Sequence, residues 1–175
     1  RETKICDLPE IRPAAVLVPL FQKNGKPHIL LTKRTNNMMH HKGQVSFPGG
    51  AFTPDDPDFQ TTALRETEEE IGLKFNSIEI LGELDHVVTG TNYRICPFVG
   101  IIPYPYPFTL NSFEVDRLIE LPIDHLREED QLIDSSFIFR GETHSNLHIY
   151  YNGDIIFGAT ARILKNFLEI FQGSS

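Results

Sequence analysis

The chain has 175 residues, of which 40% are hydrophobic, and this length and composition predict one substantial core and a single domain over residues 1–175. Its 16 basic and 24 acidic residues give a formal charge of -8, which excludes the basic surface of a general nucleic-acid binder. An anionic substrate would therefore need local positive groups.

No apolar run reaches the length of a membrane span, and the opening stretch RETKICDLPE lacks the apolar segment of a secretory signal. We therefore expect a soluble, cytoplasmic protein without a membrane partner. The two cysteines, Cys6 and Cys96, lie far apart and without CxxC spacing, which argues against a disulfide framework and against a zinc site. A reducing compartment is consistent with this cysteine usage.

Two apolar runs rich in β-forming residues lie near the start of the chain, at 14–21 and 28–34. Asn24-Gly25 between them is a hairpin turn signal, so the sequence predicts an opening β-hairpin. Residues 35–50 end in Pro-Gly-Gly, which predicts a loop, a short strand and a tight turn that approaches another group closely.

A helix is predicted next, with Asp56 as its N-cap, Pro57 at its first position and Gly72 as its C-cap. At about 100° per residue, one side of this helix is largely apolar and the other is acidic. The apolar side comprises Ala63, Leu64, Thr67 and Ile71.

Further strands follow, and the last strand segment contains the turn signal Asn152-Gly153, which predicts a hairpin. A loop is expected between the first two of these strands, a proline-rich loop after the second and a short helix after the third. An amphipathic helix with apolar residues on one side closes the chain. The predicted strands are 77–84, 93–102, 115–121, 135–140 and 147–157, the loops are 85–92 and 103–108, and the helices are 122–129 and 158–171.

The segment ALRETEEEIGL (63–73) contains four carboxylates within five positions. On a helix Glu66, Glu69 and Glu70 share one face, where like charges cost roughly 0.2–0.5 kcal/mol per pair. A solvated charged surface is the general alternative. A hard divalent cation such as Mg²⁺ would remove the repulsion, because it binds carboxylates together with substrate phosphates. We expect these glutamates to be metal ligands, the Gly50 carbonyl to complete the shell and Arg65 to orient the face.

Gly49-Gly50 followed by RETEEEIGL resembles the Nudix box, in words a glycine, a spacer with an acid, then Arg-Glu-aliphatic-any-Glu-Glu-any-Gly-aliphatic. This resemblance implies an α/β fold, a Nudix-type α/β/α sandwich with a mixed β-sheet between helices. It also implies Mg²⁺- or Mn²⁺-dependent hydrolysis of a nucleoside diphosphate linked to another moiety. The box covers about residues 50–73, with Arg65, Glu66, Glu69, Glu70, Gly72 and Leu73 in register.

The box departs from the common pattern in three respects. Its spacer is one residue longer than usual, and the midway glutamate of the family falls on Pro57. Asp55, Asp56 and Asp58 are the candidates for that acid. Thr67 occupies a place that is usually apolar.

Residues 30–50, LLTKRTNNMMHHKGQVSFPGG, resemble the element that precedes the box in coenzyme A pyrophosphatases. That branch has Leu-Leu-Thr-any-Arg-Ser, a spacer with an arginine, and then Gly-Gln-Val-any-Phe-Pro-Gly-Gly, and it commonly has the longer box spacer. Met39 stands where the branch usually has arginine. The segments NSFEV (111–115) and IFGATARIL (156–164) are similar to its late-glutamate segment and closing helix. The implied products are 3′,5′-ADP and 4′-phosphopantetheine or its acyl form.

The resemblance implies catalytic and substrate-binding roles in addition to the metal ligands. Glu66 or Glu114 would be the general base. Absent the motif, Lys33 and Arg34 are ordinary strand ends, and His40 and His41 are ordinary loop residues. The implied catalytic residues are Glu66, Glu69, Arg65 and Glu114, and the implied substrate-binding residues are Arg34, Lys33, His41 and Gly49.

Two alternatives stay open. One is a Nudix hydrolase of ADP-ribose or a dinucleoside polyphosphate, against which the upstream element argues. The other is a Nudix-like module that senses a nucleotide without cleaving it; such modules often lose box glutamates, which this chain keeps. The expected partner is a small nucleotide of the coenzyme A type and not a nucleic acid, and a homodimer stays open as the assembly.

Overall fold

The computed structural model describes residues 10–37, 39, 41–128, 131–139 and 141–173. These residues form an eight-stranded sheet, a three-stranded sheet and two α-helices. The elements are β1 (Arg12–Lys23), β2 (Lys26–Arg34), β3 (Val45–Ser46), β4 (Gly49–Ala51), α1 (Phe59–Ile71), β5 (Glu79–Glu83), β6 (Val87–Val88), β7 (Tyr93–Ile101), β8 (Val115–Pro122), β9 (Leu132–Phe139), β10 (Glu142–Tyr151), β11 (Asp154–Phe157) and α2 (Gly158–Gly173). Short 3-10 turns cover Phe75–Ser77 and Ile123–Arg127.

The opening hairpin is confirmed, since β1 and β2 pair antiparallel up to Lys23 and Lys26. The two turn residues both have positive φ angles, 52° at Asn24 and 74° at Gly25. This conformation matches the right-handed twist of the flanking strands, which is why an Asn-Gly pair connects them well.

The larger sheet is built around β1. This strand pairs in parallel with β7, from Arg12 opposite Tyr93 to Leu20 opposite Ile101, and antiparallel with β2 and β4. The strands β5 and β6 pair antiparallel with β7, and β3 and β8 pair antiparallel with β2. One parallel pair among antiparallel ones makes the sheet mixed, as predicted.

The two helices pack on opposite faces of this sheet. On one face, Ala63 and Ile71 of α1 lie among buried residues of β1 such as Ala15 and Leu17. On the other face, α2 packs together with β10 and β11 against the sheet through a larger cluster that includes Phe167. The predicted α/β class, with a mixed sheet between helices, is confirmed.

The start of α1 differs from the prediction. The helix begins at Phe59, and its N-cap is Asp58, whose side chain accepts a hydrogen bond of 2.7 Å from the Thr61 backbone N–H. Asp56 was therefore the wrong N-cap, because its carboxylate is buried and bonded elsewhere. The predicted C-cap is confirmed, since Gly72 has a φ of 70° and its N–H donates to the Glu68 carbonyl.

Three other elements differ in detail. The predicted loop 85–92 contains the short strand β6, the predicted helix near 122–129 is a 3-10 turn, and β9 begins at Leu132. Cys6, His40 and Arg140 lie outside the described residues. Within the described parts of the chain, no helix combines the length and apolar character that crossing a membrane requires.

Candidate active site

The glycine pair before α1 lies where a side chain would clash, with strand backbone at Gly49 and with a glutamate side chain at Gly50. In β4, Gly49 pairs with Val16 and Gly50 pairs with Ala15. A Cβ on Gly49, where φ is 154°, would lie 2.4 Å from the Ala15 carbonyl oxygen. A Cβ on Gly50 would lie 2.6 Å from the Glu66 carboxyl carbon. The predicted close approach is therefore present, and it is made to a glutamate of the acidic helix.

Glu70 is a buried carboxylate, with only 5% of the residue exposed. It accepts a hydrogen bond from the Gly49 backbone N–H. Burial raises the pKa of Glu70 to about 8, although the positive charge of Arg34 acts to lower it. The negative charges of Glu114 and Glu66 act in the same direction as burial. Glu70 therefore favours either a proton or another positive charge beside it.

Glu66 is the second partly buried carboxylate of α1. Burial raises the pKa of Glu66, while a hydrogen bond of 2.8 Å from Arg65 Nη1 opposes this effect. Glu66 therefore faces Gly50 of β4 on one side and the Arg65 guanidinium on the other.

Arg65 connects the acidic helix to the loop before it. Its Nε and Nη2 atoms each donate to a carboxylate oxygen of Asp56 at 2.9 Å, and its Nη1 donates to Glu69 at 3.3 Å. Asp56 also accepts from Thr53 and Thr62, and the Arg65 guanidinium holds the pKa of Asp56 well below its usual range. Of the three candidates for the midway acid, Asp56 is the one bonded to Arg65.

Glu114 is held on the other side of the site by local hydrogen bonds. Asn111 Nδ2 donates to its carboxylate at 2.9 Å. The Thr35 N–H donates to the Glu114 carbonyl at 3.0 Å, and the Thr35 hydroxyl donates to the Phe113 carbonyl at 2.7 Å. The loop after β2 thus fixes the loop that carries Glu114.

An open cleft of about 1360 Å³ collects most of the predicted site residues. The predicted residues that line it are Arg34, His41, Gly49, Gly50, Glu66, Glu70 and Glu114. Arg65, Glu69 and Lys33 do not belong to its lining. The roles assigned to all ten stay predictions.

Arg34 lines this cleft and also carries a buried donor without a partner. Its Nε atom is buried and, among the side-chain atoms that the structure describes, is the one buried nitrogen or oxygen without a hydrogen-bond partner. A buried donor left unpaired costs about 1–3 kcal/mol. Because this atom is shielded from solvent, a substrate oxygen could pair with it only after the Arg34 side chain turned toward the cleft.

Lys33 and His41 contribute differently. The Lys33 amine lies 2.6 Å from the carboxylate of Asp154 in β11, which also accepts from Arg117, so Lys33 is engaged in an ion pair between the two sheets. His41 has a φ of 59°, lines the cleft, and has its Nδ1 3.1 Å from Gln44 Oε1.

Arg12 and Tyr93 also line the cleft, and sequence analysis missed both. They lie opposite each other because β1 and β7 pair in parallel, and the Arg12 guanidinium carbon lies 4.2 Å from the Tyr93 ring centroid. Pairing between strands this distant leaves no signal in a single sequence. Arg162, from the start of α2, lines the cleft as well.

The carboxylates suit a hard cation. Glu66, Glu70 and Glu114 line one cleft, and a Cβ on Gly50 would meet the Glu66 carboxylate, so the carboxylates and the nearby carbonyl all offer oxygen atoms. Such donors favour Mg²⁺, Mn²⁺ or Ca²⁺ over softer ions. The cleft therefore offers oxygen donors of the kind that hard divalent cations prefer, with the positive charge of Arg34 near Glu70.

Comparison with known proteins identifies the protein family. The NUDIX domain family model matches residues 11–130, so the chain belongs to the Nudix family. It is 34% identical over 158 residues to the uncharacterized Nudix hydrolase NudL of Yersinia pestis (strain Pestoides F), covering 90% of this chain and 79% of that protein. The chain is a Nudix hydrolase, an enzyme class that uses divalent metals to hydrolyse nucleoside diphosphate derivatives.

Solved structures support the fold. A MutT/nudix family protein from Enterococcus faecalis has a TM-score of 0.65 at 14% identity, covering 97% of this chain and 66% of that one. The Nudix hydrolase RenU from M. smegmatis has a TM-score of 0.63 at 16% identity, covering 94% and 88%. At these identities the likeness concerns the fold alone.

Proposed function

We propose that this Nudix hydrolase cleaves the diphosphate of coenzyme A or acyl-coenzyme A, with Mg²⁺ or Mn²⁺, to give 3′,5′-ADP and 4′-phosphopantetheine or its acyl form. The main support is the position of the segment 30–50, which resembles the coenzyme A pyrophosphatase element. This segment supplies much of the wall of the cleft that holds the carboxylates, including Arg34, His41 and both glycines.

The charges along the cleft support a substrate with several phosphates. The protein as a whole carries a formal charge of -8, so its general field repels anions. Arg12, Arg34 and Arg162 nevertheless all line this cleft. Local cations of this kind can bind a diphosphate and an additional phosphate on the same molecule.

Glu66 and Glu70 are the proposed principal metal ligands, with the Gly50 carbonyl beside them and Glu69 as a further ligand. A bound Mg²⁺ or Mn²⁺ would neutralise charge on the diphosphate and lower the pKa of an attacking water. Glu69 bonds to Arg65 and lies outside the cleft lining, so its side chain would have to turn to take part.

Other residues would handle the proton and the substrate. Glu114 or Glu66 would accept the proton of the attacking water, and the Asn111 amide keeps the Glu114 carboxylate in place. The Arg34 guanidinium, which lines the cleft, would donate to an oxygen of the diphosphate. Arg65 would act indirectly, by orienting Glu66.

The test is the identity of the products. Wild-type protein would be incubated with coenzyme A in Mg²⁺, in Mn²⁺ and in excess EDTA, and the products separated and weighed by mass spectrometry. We expect 3′,5′-ADP and 4′-phosphopantetheine with either metal and no turnover in EDTA. Intact coenzyme A under every condition, with turnover of ADP-ribose or a dinucleoside polyphosphate, would replace the proposed substrate. No turnover of any of them, with nucleotide binding retained, would support a sensing module.

A further inference from the structure

Outside the cleft, three side chains of different chemical type meet at the edge of the larger sheet. They are Glu83 at the end of β5, His86 in the turn before β6 and Cys96 in β7. One donor atom from each lies within 4.8 Å of the other two. Over the described residues, this is the one group of three or more His, Cys, Asp or Glu donors that are this close together.

The strand pairing explains why they meet. Both β5 and β6 pair antiparallel with β7, with Glu83 opposite Phe98 and Val87 opposite Ile95. The turn between β5 and β6 therefore brings His86 alongside Cys96. Cysteine spacing in the sequence could not indicate this group, because only one of its members is a cysteine.

The spacing of two of the donors, Cys96 Sγ and His86 Nδ1, is close to that of a metal site. Cys96 Sγ lies 3.8 Å from His86 Nδ1. In a tetrahedral zinc site, bonds of about 2.3 Å to sulfur and 2.0–2.1 Å to nitrogen separate these two atoms by about 3.6 Å. Glu83 contacts the other ring nitrogen, and its side chain is 44% exposed, so its carboxylate can rotate toward an ion held by the first two.

We infer that Glu83, His86 and Cys96 form a second metal site, which binds one Zn²⁺ ion and leaves a fourth position for water. Thiolate and imidazole ligands favour Zn²⁺ over Mg²⁺, whereas the oxygen donors of the cleft favour the harder ion. The two sites can therefore be filled independently by choosing the metal.

A nucleophilic role for Cys96 fits less well. The residue is fully buried beside Ala15, Ala63 and Phe98, and burial together with the nearby Glu83 charge raises the pKa of its thiol. Nucleophilic cysteines instead have lowered pKa values and partial exposure. The arrangement suits a ligand approached from the exposed side of His86 and Glu83.

The position of this site connects it to the cleft wall. His86 is followed by Val87 and Val88, and the Val88 carbonyl accepts a hydrogen bond of 2.6 Å from Arg162. Val88 and Arg162 both line the cleft. A Zn²⁺ ion would hold the turn before β6 against β7 and so stabilise this part of the wall.

Metal content and spectroscopy test the inference. Protein stripped with EDTA would be dialysed against Zn²⁺ in a large excess of Mg²⁺, and bound zinc would be measured after gel filtration. We expect one retained equivalent in the wild type and at least a tenfold weaker affinity in Cys96→Ala and His86→Ala. Glu79→Gln, an exposed glutamate on the same strand as Glu83, and Glu70→Gln in the cleft are the matched controls and should keep the zinc.

Cobalt provides a signature of the sulfur ligand. Co²⁺ added in place of Zn²⁺ should give a thiolate charge-transfer absorption in the wild type and in Glu79→Gln, and none in Cys96→Ala. Retention of zinc by both ligand variants would overturn the inference, and so would absence of the thiolate absorption in the wild type.

Discussion

The guanidinium of Arg65 and the carboxylate of Asp56 form a two-pronged ion pair, in which Nε and Nη2 each lie 2.9 Å from one carboxylate oxygen. Asp56 belongs to the loop before α1, and Arg65 to the middle of the helix. This pair fixes the guanidinium so that its remaining nitrogen faces Glu66 and Glu69. It therefore joins the stability of the loop to the orientation of the acidic face.

Replacing Asp56 with Asn should lower both stability and activity. The substitution removes one partner of an ion pair whose carboxylate is only 4% exposed, although Arg65 keeps Glu66 and Glu69 as partners. We expect a loss of about 1–3 kcal/mol in the free energy of unfolding, measured by urea denaturation at neutral pH. Asp55→Asn, at the exposed neighbouring position, is the control and should change stability by less than about 0.5 kcal/mol.

The difference in unfolding free energy between wild type and Asp56→Asn should depend on pH. The pKa of folded Asp56 lies well below its usual range because of Arg65, so its contribution is complete above the unfolded pKa of about 3.9 and is lost as pH falls toward the folded pKa. The stability gap between wild type and Asp56→Asn should be constant from about pH 7 to pH 5 and should shrink by about pH 3. A gap that widens on acidification would show that Asp56 is not stabilised by its negative charge.

The glutamates of α1 should contribute unequally to catalysis. Glu70 is buried and lines the cleft. Glu68 lies outside the cleft lining and accepts a hydrogen bond from the amine of Lys74, whose side chain is 64% exposed. Glu70→Gln should lower kcat by roughly 10²-fold or more, within the range seen when catalytic electrostatic groups are removed. Glu68→Gln should cost less than about threefold. Similar losses from both substitutions would contradict the assignment of the acidic face.

The loss of activity in Glu70→Gln should come with a gain in stability when metal is chelated. The folded pKa of Glu70 is about 8, above its unfolded value, so its stabilising contribution is present at low pH and is lost as pH rises toward about 8. A neutral glutamine avoids this loss and can still accept from the Gly49 N–H.

In EDTA, Glu70→Gln should therefore be more stable than wild type by roughly 1–3 kcal/mol at about pH 8, with a smaller difference near pH 5. Urea denaturation at both values provides the comparison, and Glu68→Gln should show no such gain. If Glu70→Gln is less stable than wild type at about pH 8, the buried Glu70 carboxylate does not destabilise the fold when it is ionised.

Arg34 should act on the diphosphate. Its charge opposes the rise in the pKa of Glu70, so it lies near the proposed metal ligands, and it lines the cleft. Arg34→Ala should lower kcat/KM for coenzyme A and for 3′-dephospho-coenzyme A alike, by about tenfold or more.

Arg12 provides the contrasting variant. It lines the same cleft but lies three residues along β1 from Ala15, the partner of Gly50, a separation of about 10 Å. If this end of the cleft binds the 3′-phosphate, Arg12→Ala should lower kcat/KM for coenzyme A more than kcat/KM for 3′-dephospho-coenzyme A. A selective loss on coenzyme A in Arg34→Ala would instead assign that phosphate to Arg34.

Much of the fold could be predicted from local signals. Asn24-Gly25 and Gly72 adopt the positive φ angles that their sequence context predicts, and Ala63 and Ile71 are buried as the helical periodicity requires. Thr67, at a usually apolar place, is also buried, because its hydroxyl donates to the Ala63 carbonyl at 2.7 Å.

The features that the sequence did not predict depend on contacts between distant parts of the chain. Asp56 and Asp58 are equally good caps by residue type, and the ion pair with Arg65 decides between them. Glu70 shares a helical face with Glu66 and Glu69, but it is buried by contacts with distant parts of the chain, which include β4 and the loop at Asn111. Lys33 follows an apolar run like a strand end, yet its partner Asp154 comes from the second sheet.

The central claim, that coenzyme A is the preferred substrate of this Nudix site, is tested most directly by competition. Equal concentrations of coenzyme A, ADP-ribose and a diadenosine polyphosphate would be mixed with wild-type protein and Mg²⁺, and the loss of each followed by chromatography. The ratio of their initial rates gives the ratio of their kcat/KM values. We predict that coenzyme A disappears first, by about tenfold or more over either competitor, and that Glu70→Gln slows all three. Faster loss of ADP-ribose or of the diadenosine compound would contradict the account.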